Sequence, residues 1–236
     1  MRAFIAVEVS QEVRHAVRLL VSELQESIKG ARWIAPENLH LTLRFLGEAD
    51  GKRLREMSGE LEATAARFAP FRLDFRGLTA LPSSRRPRVL CVAVTDPPHE
   101  IHLLHKHIEG VVRKHGFPPG DRGFKPHLTF ARFRKPEKEI RLSRSGFEDR
   151  VVGVVPVEDV VLFRSTLKPS GTVYDAMARF PLAKNPQPAS GHLLLGTAYF
   201  DGQVSQPSPR PSPKGRGING RRDHLKGKGS KERSPR

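Results

Sequence analysis

His40-Leu41-Thr42-Leu43 and His127-Leu128-Thr129-Phe130 are two copies of one short pattern: a histidine, an apolar residue, a threonine, another apolar residue. Each runs on into further apolar chain, Arg44-Phe45-Leu46-Gly47 after the first and Ala131-Arg132-Phe133 after the second. Alternation with period two reads as a half-buried strand. Successive side chains then point to opposite faces. His40 and Thr42 share one face and Leu41, Leu43 and Phe45 the other, while His127 and Thr129 lie over Leu128 and Phe130. An imidazole beside a hydroxyl is a proton-transfer group next to a hydrogen-bond donor. One such tetrapeptide is an ordinary strand face. Two copies on alternating strands point to an active site built from two related halves.

Around these motifs, strand and helix patterns alternate. Arg2 to Val9 reads as a strand. Gln11 to Ile28 carries Val13, Val17, Leu20, Val21, Leu24 and Ile28 at helical spacing, with Ser10 before it and Gly30 beyond. The His40 strand leads to a helix over about Lys52 to Phe68, then to strands near Phe71–Phe75 and Arg88–Val94. A third helix over about Pro98 to His115 precedes the His127 strand, and strands follow at about Val157–Lys168 and Thr172–Pro181. Phe71-Arg72-Leu73-Asp74-Phe75 and Val160-Val161-Leu162-Phe163-Arg164 occupy matching places after the two histidine strands, as a degenerate duplication would leave them.

The charge is +16, and +8 of it falls on residues 184–236. That segment has Pro207, Pro209, Pro211 and Pro213 among Ser and basic residues, then a Gly-Lys-Arg run. Such a composition cannot bury enough surface to offset its ordering entropy, and disorder is expected there. Residues 192–200 form an apolar island that the pattern does not place. The domain boundary is therefore set between residues 1–183 and 184–236. The basic body suits a polyanionic partner. Cys91 is the only cysteine, so an intrachain disulfide is impossible, and its apolar surroundings read as a small buried hydrophobe. No stretch approaches 18 apolar residues, and the Ala3–Val9 run is too short and too soon acidic for a signal peptide. A cytoplasmic protein without membrane contact is expected.

With their flanks, Trp33 to Gly47 and Phe124 to Arg132, the motifs resemble the two-histidine phosphoesterase superfamily. The likeness is greatest to its RNA 2′,3′-cyclic phosphodiesterase branch, also called the 2′-5′ RNA ligase family. It spans residues 1–183, from Arg2-Ala3-Phe4-Ile5-Ala6 to Val173 through Phe180. The resemblance implies an α/β (α+β) fold: two pseudo-symmetric lobes of mostly antiparallel sheet, with outer helices, around a central cleft. It implies hydrolysis of RNA 2′,3′-cyclic phosphate ends to 2′-phosphomonoesters, with no cofactor, no metal and no obligatory protein partner, by a monomer.

The residues suit that chemistry. Histidine, with an ordinary pKa of about 6.5, can serve as acid or base near neutrality. Opening a cyclic phosphodiester needs both, a base for water and an acid for the departing ribose oxygen. The symmetry of the motifs leaves the roles open; the resemblance makes His40 the proton donor and His127 the proton acceptor. Thr42 and Thr129 are placed to donate to nonbridging phosphate oxygens. Strict alternation puts Arg44 on the His40 face as a phosphate contact, and a solvated arginine is the alternative. Arg132 matches an arginine of the family's second motif, but strict alternation would turn it away from His127 unless the strand bends or bulges. Phe4 reads as core packing, with nucleobase stacking as the alternative.

Two rivals use the same sequence: reversible 2′-5′ ligation of RNA halves, and a basic RNA-binding module with incidental histidines. A zinc site from His99, His102, His105, His107 and His115 is disfavoured because the helical spacing sends the rings in different directions. The tail generates a first prediction. A chain ending after Lys184 is expected to match the full chain in melting temperature and in turnover at moderate salt. A large drop in either would show that residues 192–200 pack onto the body.

Overall fold

The computed structural model describes residues 1–120, 123–135, 146–169 and 171–186. Of the expected disordered tail, residues 187–236, the 192–200 island among them, lie outside the described residues. The strands are β1 (Arg2–Glu8), β2 (Ala31–Trp33), β3 (His40–Glu48), β4 (Phe71–Leu81), β5 (Val89–Val94), β6 (His127–Phe133), β7 (Val151–Val157), β8 (Asp159–Lys168) and β9 (Gly171–Pro181). The helices are α1 (Gln11–Gln25), α2 (Gly51–Ala65) and α3 (His99–Lys114). All strands belong to one sheet, in the order β7-β4-β5-β6-β3-β1-β8-β9, with β2 alongside β6. Every pairing among the described residues is antiparallel. This is the expected α+β architecture, its two lobes being the halves of a single sheet.

A pseudo-twofold axis passes between β3 and β6. It exchanges β1 with β5, β4 with β8, and β7 with β9. The strands Phe71–Phe75 and Val160–Arg164, matched in sequence, fall on β4 and β8 and are therefore equivalent. Each crosses the axis: β4 pairs with β5, and β8 pairs with β1. Thus each lobe contains strands from both halves of the chain.

The helices form because their apolar residues recur every three or four positions. Val13, Val17, Leu20, Val21 and Leu24 of α1 are buried, and the Ser10 hydroxyl accepts from the Val13 amide at its start. Ile101, Leu104, Ile108 and Val112 of α3 are buried in the same way. They face the side of the sheet that carries Leu41, Leu43, Leu128 and Phe130, all in the main core. Phe4, Ala6, Val161 and Phe163 form a separate small cluster with Tyr174 on the opposite face. Beyond β9, the Ala183 amide donates to the Phe68 carbonyl, tying the end of the body down.

The two histidine strands depart from strict alternation at the same motif position. Between β1 and β3, Ala6 pairs with Thr42 but Ile5 with Arg44, leaving Leu43 as an extra residue. Between β5 and β6, Cys91 pairs with Thr129 but Leu90 with Ala131, leaving Phe130 extra. A bulge of this kind reverses the facing of everything that follows it.

The halves meet at Leu41 opposite Leu128, the one register pair between β3 and β6, and both side chains are fully buried. Replacing either leucine with Ala is expected to cost about 2–5 kcal/mol, as loss of a buried leucine does. The double variant is expected to cost less than the sum of the two, by roughly 0.5–3 kcal/mol, because the residues share one contact. Urea unfolding measures this, and strict additivity would show that the pair does not couple the lobes.

Candidate active site

In an antiparallel pair, the residue before one member faces the residue after the other. With Leu41 opposite Leu128, His40 lies across from Thr129 and Thr42 across from His127. The four side chains on the open face thus alternate imidazole and hydroxyl around the axis. Each imidazole is braced alike. His40 Nδ1 is 2.8 Å from the Asn38 carbonyl, and His127 Nδ1 is 2.7 Å from the Lys125 carbonyl. A carbonyl only accepts, so Nδ1 carries the hydrogen in both rings and Nε2 remains for a substrate. The brace holds in both protonation states, because an imidazolium also has a hydrogen on Nδ1. Neither threonine hydroxyl has a hydrogen-bond partner among the described residues.

The surroundings of the two rings differ. His40 lies against Phe4 at 4.7 Å between ring centroids, Tyr174 at 5.2 Å and Phe163 at 6.3 Å. Phe163 in turn stacks on Phe4 at 5.1 Å. Among the described residues no aromatic ring packs on His127. Burial in the aromatic enclosure pushes the His40 pKa down to about 4; the Asn38 carbonyl opposes this, and the nearby charges of Arg132 and Arg14 add to it. Val89 stands where the pseudo-symmetry would put the counterpart of Phe4, since it pairs with Arg132 as Phe4 pairs with Phe45.

The bulges decide the arginines. After the extra Phe130, Ala131 turns into the core and Arg132 onto the His127 face, the bend that the sequence required for it. After the extra Leu43, Arg44 turns to the helix side and Phe45 takes the open face, 57% exposed. The expectation for Arg44 is thereby corrected. Its Nε is 2.5 Å from Glu109 of α3, and its other nitrogens donate to the carbonyls of Phe45 and Pro118. The Glu109 carboxylate also accepts from the Gly120 amide at 3.0 Å, so Arg44 fastens a loop instead of meeting the cleft.

Phe4 is buried as read, but beneath His40 instead of in the main core. Cys91 is buried beside Thr129, and burial pushes its thiol up to about 12. The rings of α3 disperse: His102 and His105 go to Phe124, His107 to Phe68 and His115 to Glu60. Among the described residues no three His, Cys, Asp or Glu side chains converge as a metal site would require. The sequence reading passed over Tyr174, Phe163 and Arg32. The shared offset of Asn38 and Lys125, each two residues before its histidine, was the available signal for the braces.

A cavity of about 550 Å³ opens beside His40, lined by residues that include Arg32, Trp33, Asn38, Arg132, Thr172 and Tyr174. The Asn38 amide donates to the Thr172 carbonyl at 2.9 Å, joining the turn before β3 to β9. No helix among the described residues is long and apolar enough to cross a membrane.

The LigT-like phosphoesterase profile matches the chain twice, over residues 7–91 and 92–174, one histidine motif in each. An RNA 2′,3′-cyclic phosphodiesterase of Archaeoglobus fulgidus is 32% identical over 180 residues, covering 76% of this chain and 99% of its own. One from Thermus thermophilus is 34% identical over 77% of this chain and 90% of its own. A crystal structure of a protein from Thermus thermophilus superposes with a TM-score of 0.66 at 31% identity, covering 77% of this chain and 97% of that one. Escherichia coli LigT in complex with 3′-AMP has the same fold, with a TM-score of 0.64 at 23% identity over 77% of this chain and 97% of its own. The double match and these likenesses over about three-quarters of the chain agree with the paired histidine motifs, and the chain belongs to the LigT-like phosphoesterase family.

Proposed function

We propose that the protein is an RNA 2′,3′-cyclic phosphodiesterase that opens the ring to a 2′-phosphomonoester. The observation that carries this reading is the pair of braced imidazoles, each leaving Nε2 free across one bridging leucine pair. Its relatives bear the same name. In the proposed reaction, His127 Nε2 takes a proton from water as the water oxygen bonds to phosphorus. The bond from phosphorus to the ribose 3′-oxygen breaks, and His40 Nε2 gives that oxygen its proton. Thr42, Thr129 and Arg132 hold the nonbridging oxygens, where negative charge is concentrated. The product keeps its phosphate on the 2′-oxygen.

His40 can act as the acid only when charged, yet its enclosure keeps it neutral near pH 7 while the site is empty. A phosphate anion against the ring favours the charged form. In this reading the substrate raises the pKa of the group that will protonate it.

The first test is turnover of an oligonucleotide with a 2′,3′-cyclic phosphate end, in EDTA, with the product isomer identified. His40→Ala or His127→Ala is expected to lower the rate by about 10³–10⁴-fold. Thr42→Ala or Thr129→Ala should cost about a hundredfold, as loss of one transition-state donor does. Wild-type rates in the His127 variant, or activity lost in EDTA and restored by zinc, would overturn the two-histidine mechanism. RNA binding indifferent to the terminal phosphate, without turnover, would favour a binding module.

The second test follows the proton. Sulfate is a tetrahedral anion that does not itself titrate near neutrality. At about pH 6, between the lowered His40 value and the value that a bound anion restores, sulfate binding should take up a proton from solution. Calorimetry in buffers of different ionisation enthalpy reads this uptake. His40→Asn should lower it; equal uptake by the variant would place the proton elsewhere.

A further inference from the structure

Arg32 and Arg132 stand directly opposite each other where β2 pairs with β6. Like charges in that position repel. Several other arginines of the protein are neutralised: Arg44 by Glu109, Arg150 by Glu23, Arg164 by Asp175, and Arg179 by Glu8 and Asp159. Among the described residues, neither Arg32 nor Arg132 has a carboxylate within ion-pair distance. The ladder fixes both backbones, so the repulsion cannot be relieved by the chain drifting apart. An anion between or beside the two guanidiniums would relieve it.

The place is specific. Both arginines line the cavity beside His40, with Trp33 and Tyr174 as aromatic walls. Trp33 lies parallel to Phe130 at 6.3 Å, which fixes its indole, and Tyr174 lies edge-on to the His40 ring. At about 550 Å³ the cavity is within the roughly 300–1,000 Å³ of small-molecule sites, room for a nucleoside. Arg132 was accounted for by the reacting phosphate. Arg32, on the strand that pairs with Arg132 from the β3 side, was not.

We propose that Arg32 binds the phosphodiester one nucleotide upstream of the reacting end, making the cavity a subsite for the RNA chain. The proposal rests on the cyclic phosphodiesterase reading. If His40 protonates the ribose oxygen, the terminal ribose lies on the His40 side, and the cavity opens there. The preceding phosphate then leaves the cleft past Arg32. The enzyme therefore discriminates a chain end from a free cyclic mononucleotide by one additional charge-assisted contact. Glu37, the only carboxylate lining the cavity among the described residues, works against that contact by repelling the phosphate.

The test compares a 2′,3′-cyclic mononucleotide with a dinucleotide ending in the same group, which adds one phosphodiester. Arg32→Gln is expected to lower kcat/KM for the dinucleotide by about tenfold, as loss of a hydrogen bond to a charged group does. Turnover of the mononucleotide should change by less than about twofold, because that substrate has no upstream phosphate. Arg32→Lys should recover part of the loss, and Glu37→Gln should favour the dinucleotide further. The salt slope of dinucleotide binding should fall by about 0.7 in the Arg32→Gln protein, the share of one single-strand phosphate. Equal losses on both substrates, or no loss on the dinucleotide, would overturn the subsite. Calorimetric binding of the dinucleotide and mononucleotide 2′-phosphates separates this proposal from the reaction it rests on. If the wild type opened neither cyclic substrate but still bound the dinucleotide product more tightly through Arg32, the hydrolase reading would fall and the subsite would stand.

Discussion

Leu41 and Leu128 form the one register pair between β3 and β6, and the geometry of the candidate site follows from where that pair sits. Two strands fully zipped together would make a flat central sheet with the histidines on a plain surface. Here β6 turns to pair with β2 over residues Ala31–Trp33, so the two strands part beside the bridge. Burial of both leucines anchors the crossing from the helix side. On the other side the same geometry sets each imidazole across from the opposite threonine. A tetrahedral anion can then be approached from several directions by groups whose spacing the core determines.

The two halves have kept this frame and changed what hangs from it. Both retain the brace from histidine Nδ1 to the carbonyl two residues back. Phe4 beneath His40 corresponds to Val89, Phe45 to Arg132, and Arg44 to Ala131. One half has thus become dry and aromatic, and the other keeps its guanidinium on the open face. An acid and a base drawn from the same residue type need different environments, because identical imidazoles would titrate together. In the proposed reaction, the aromatic enclosure around His40 supplies such a difference.

Much of this was legible in the sequence, and the failures have physical causes. Period-two alternation placed His40, Thr42, His127 and Thr129 correctly, since their strands follow it up to the fourth motif residue. It failed for Arg44 because nothing in the letters of Leu43 marks a bulge. The same device rescued Arg132, for which a bend had to be invoked. Strand β7 has no counterpart in the sequence reading; it contains Gly153 and Pro156, and as an edge strand it tolerates the proline. The three residues of β2 are too few to show alternation, so Arg32 drew no notice. Helix α1 ends at Gln25, three residues before the periodic pattern does, with Ile28 reaching the core from a turn. The aromatic enclosure joins Phe4, Phe163 and Tyr174, residues remote in the chain that only the β1-β8-β9 pairing brings together.

The crossing of β4 and β8 has a consequence for the history of the fold. Each half of the chain begins one lobe and places a strand in the other, so a half-length chain would be left with an unfilled sheet edge and a strand with nowhere of its own to pair. It could close only by exchanging that strand with a second copy of itself. Two such copies would form a closed twofold dimer, with self-complementary contacts at the axis. Each would contribute one histidine and one threonine to a shared site. Joining the copies end to end would preserve the pairings of β3 with β6, β4 with β5 and β8 with β1 while freeing the two halves to diverge, and a symmetric site could then become one with a distinct acid and base.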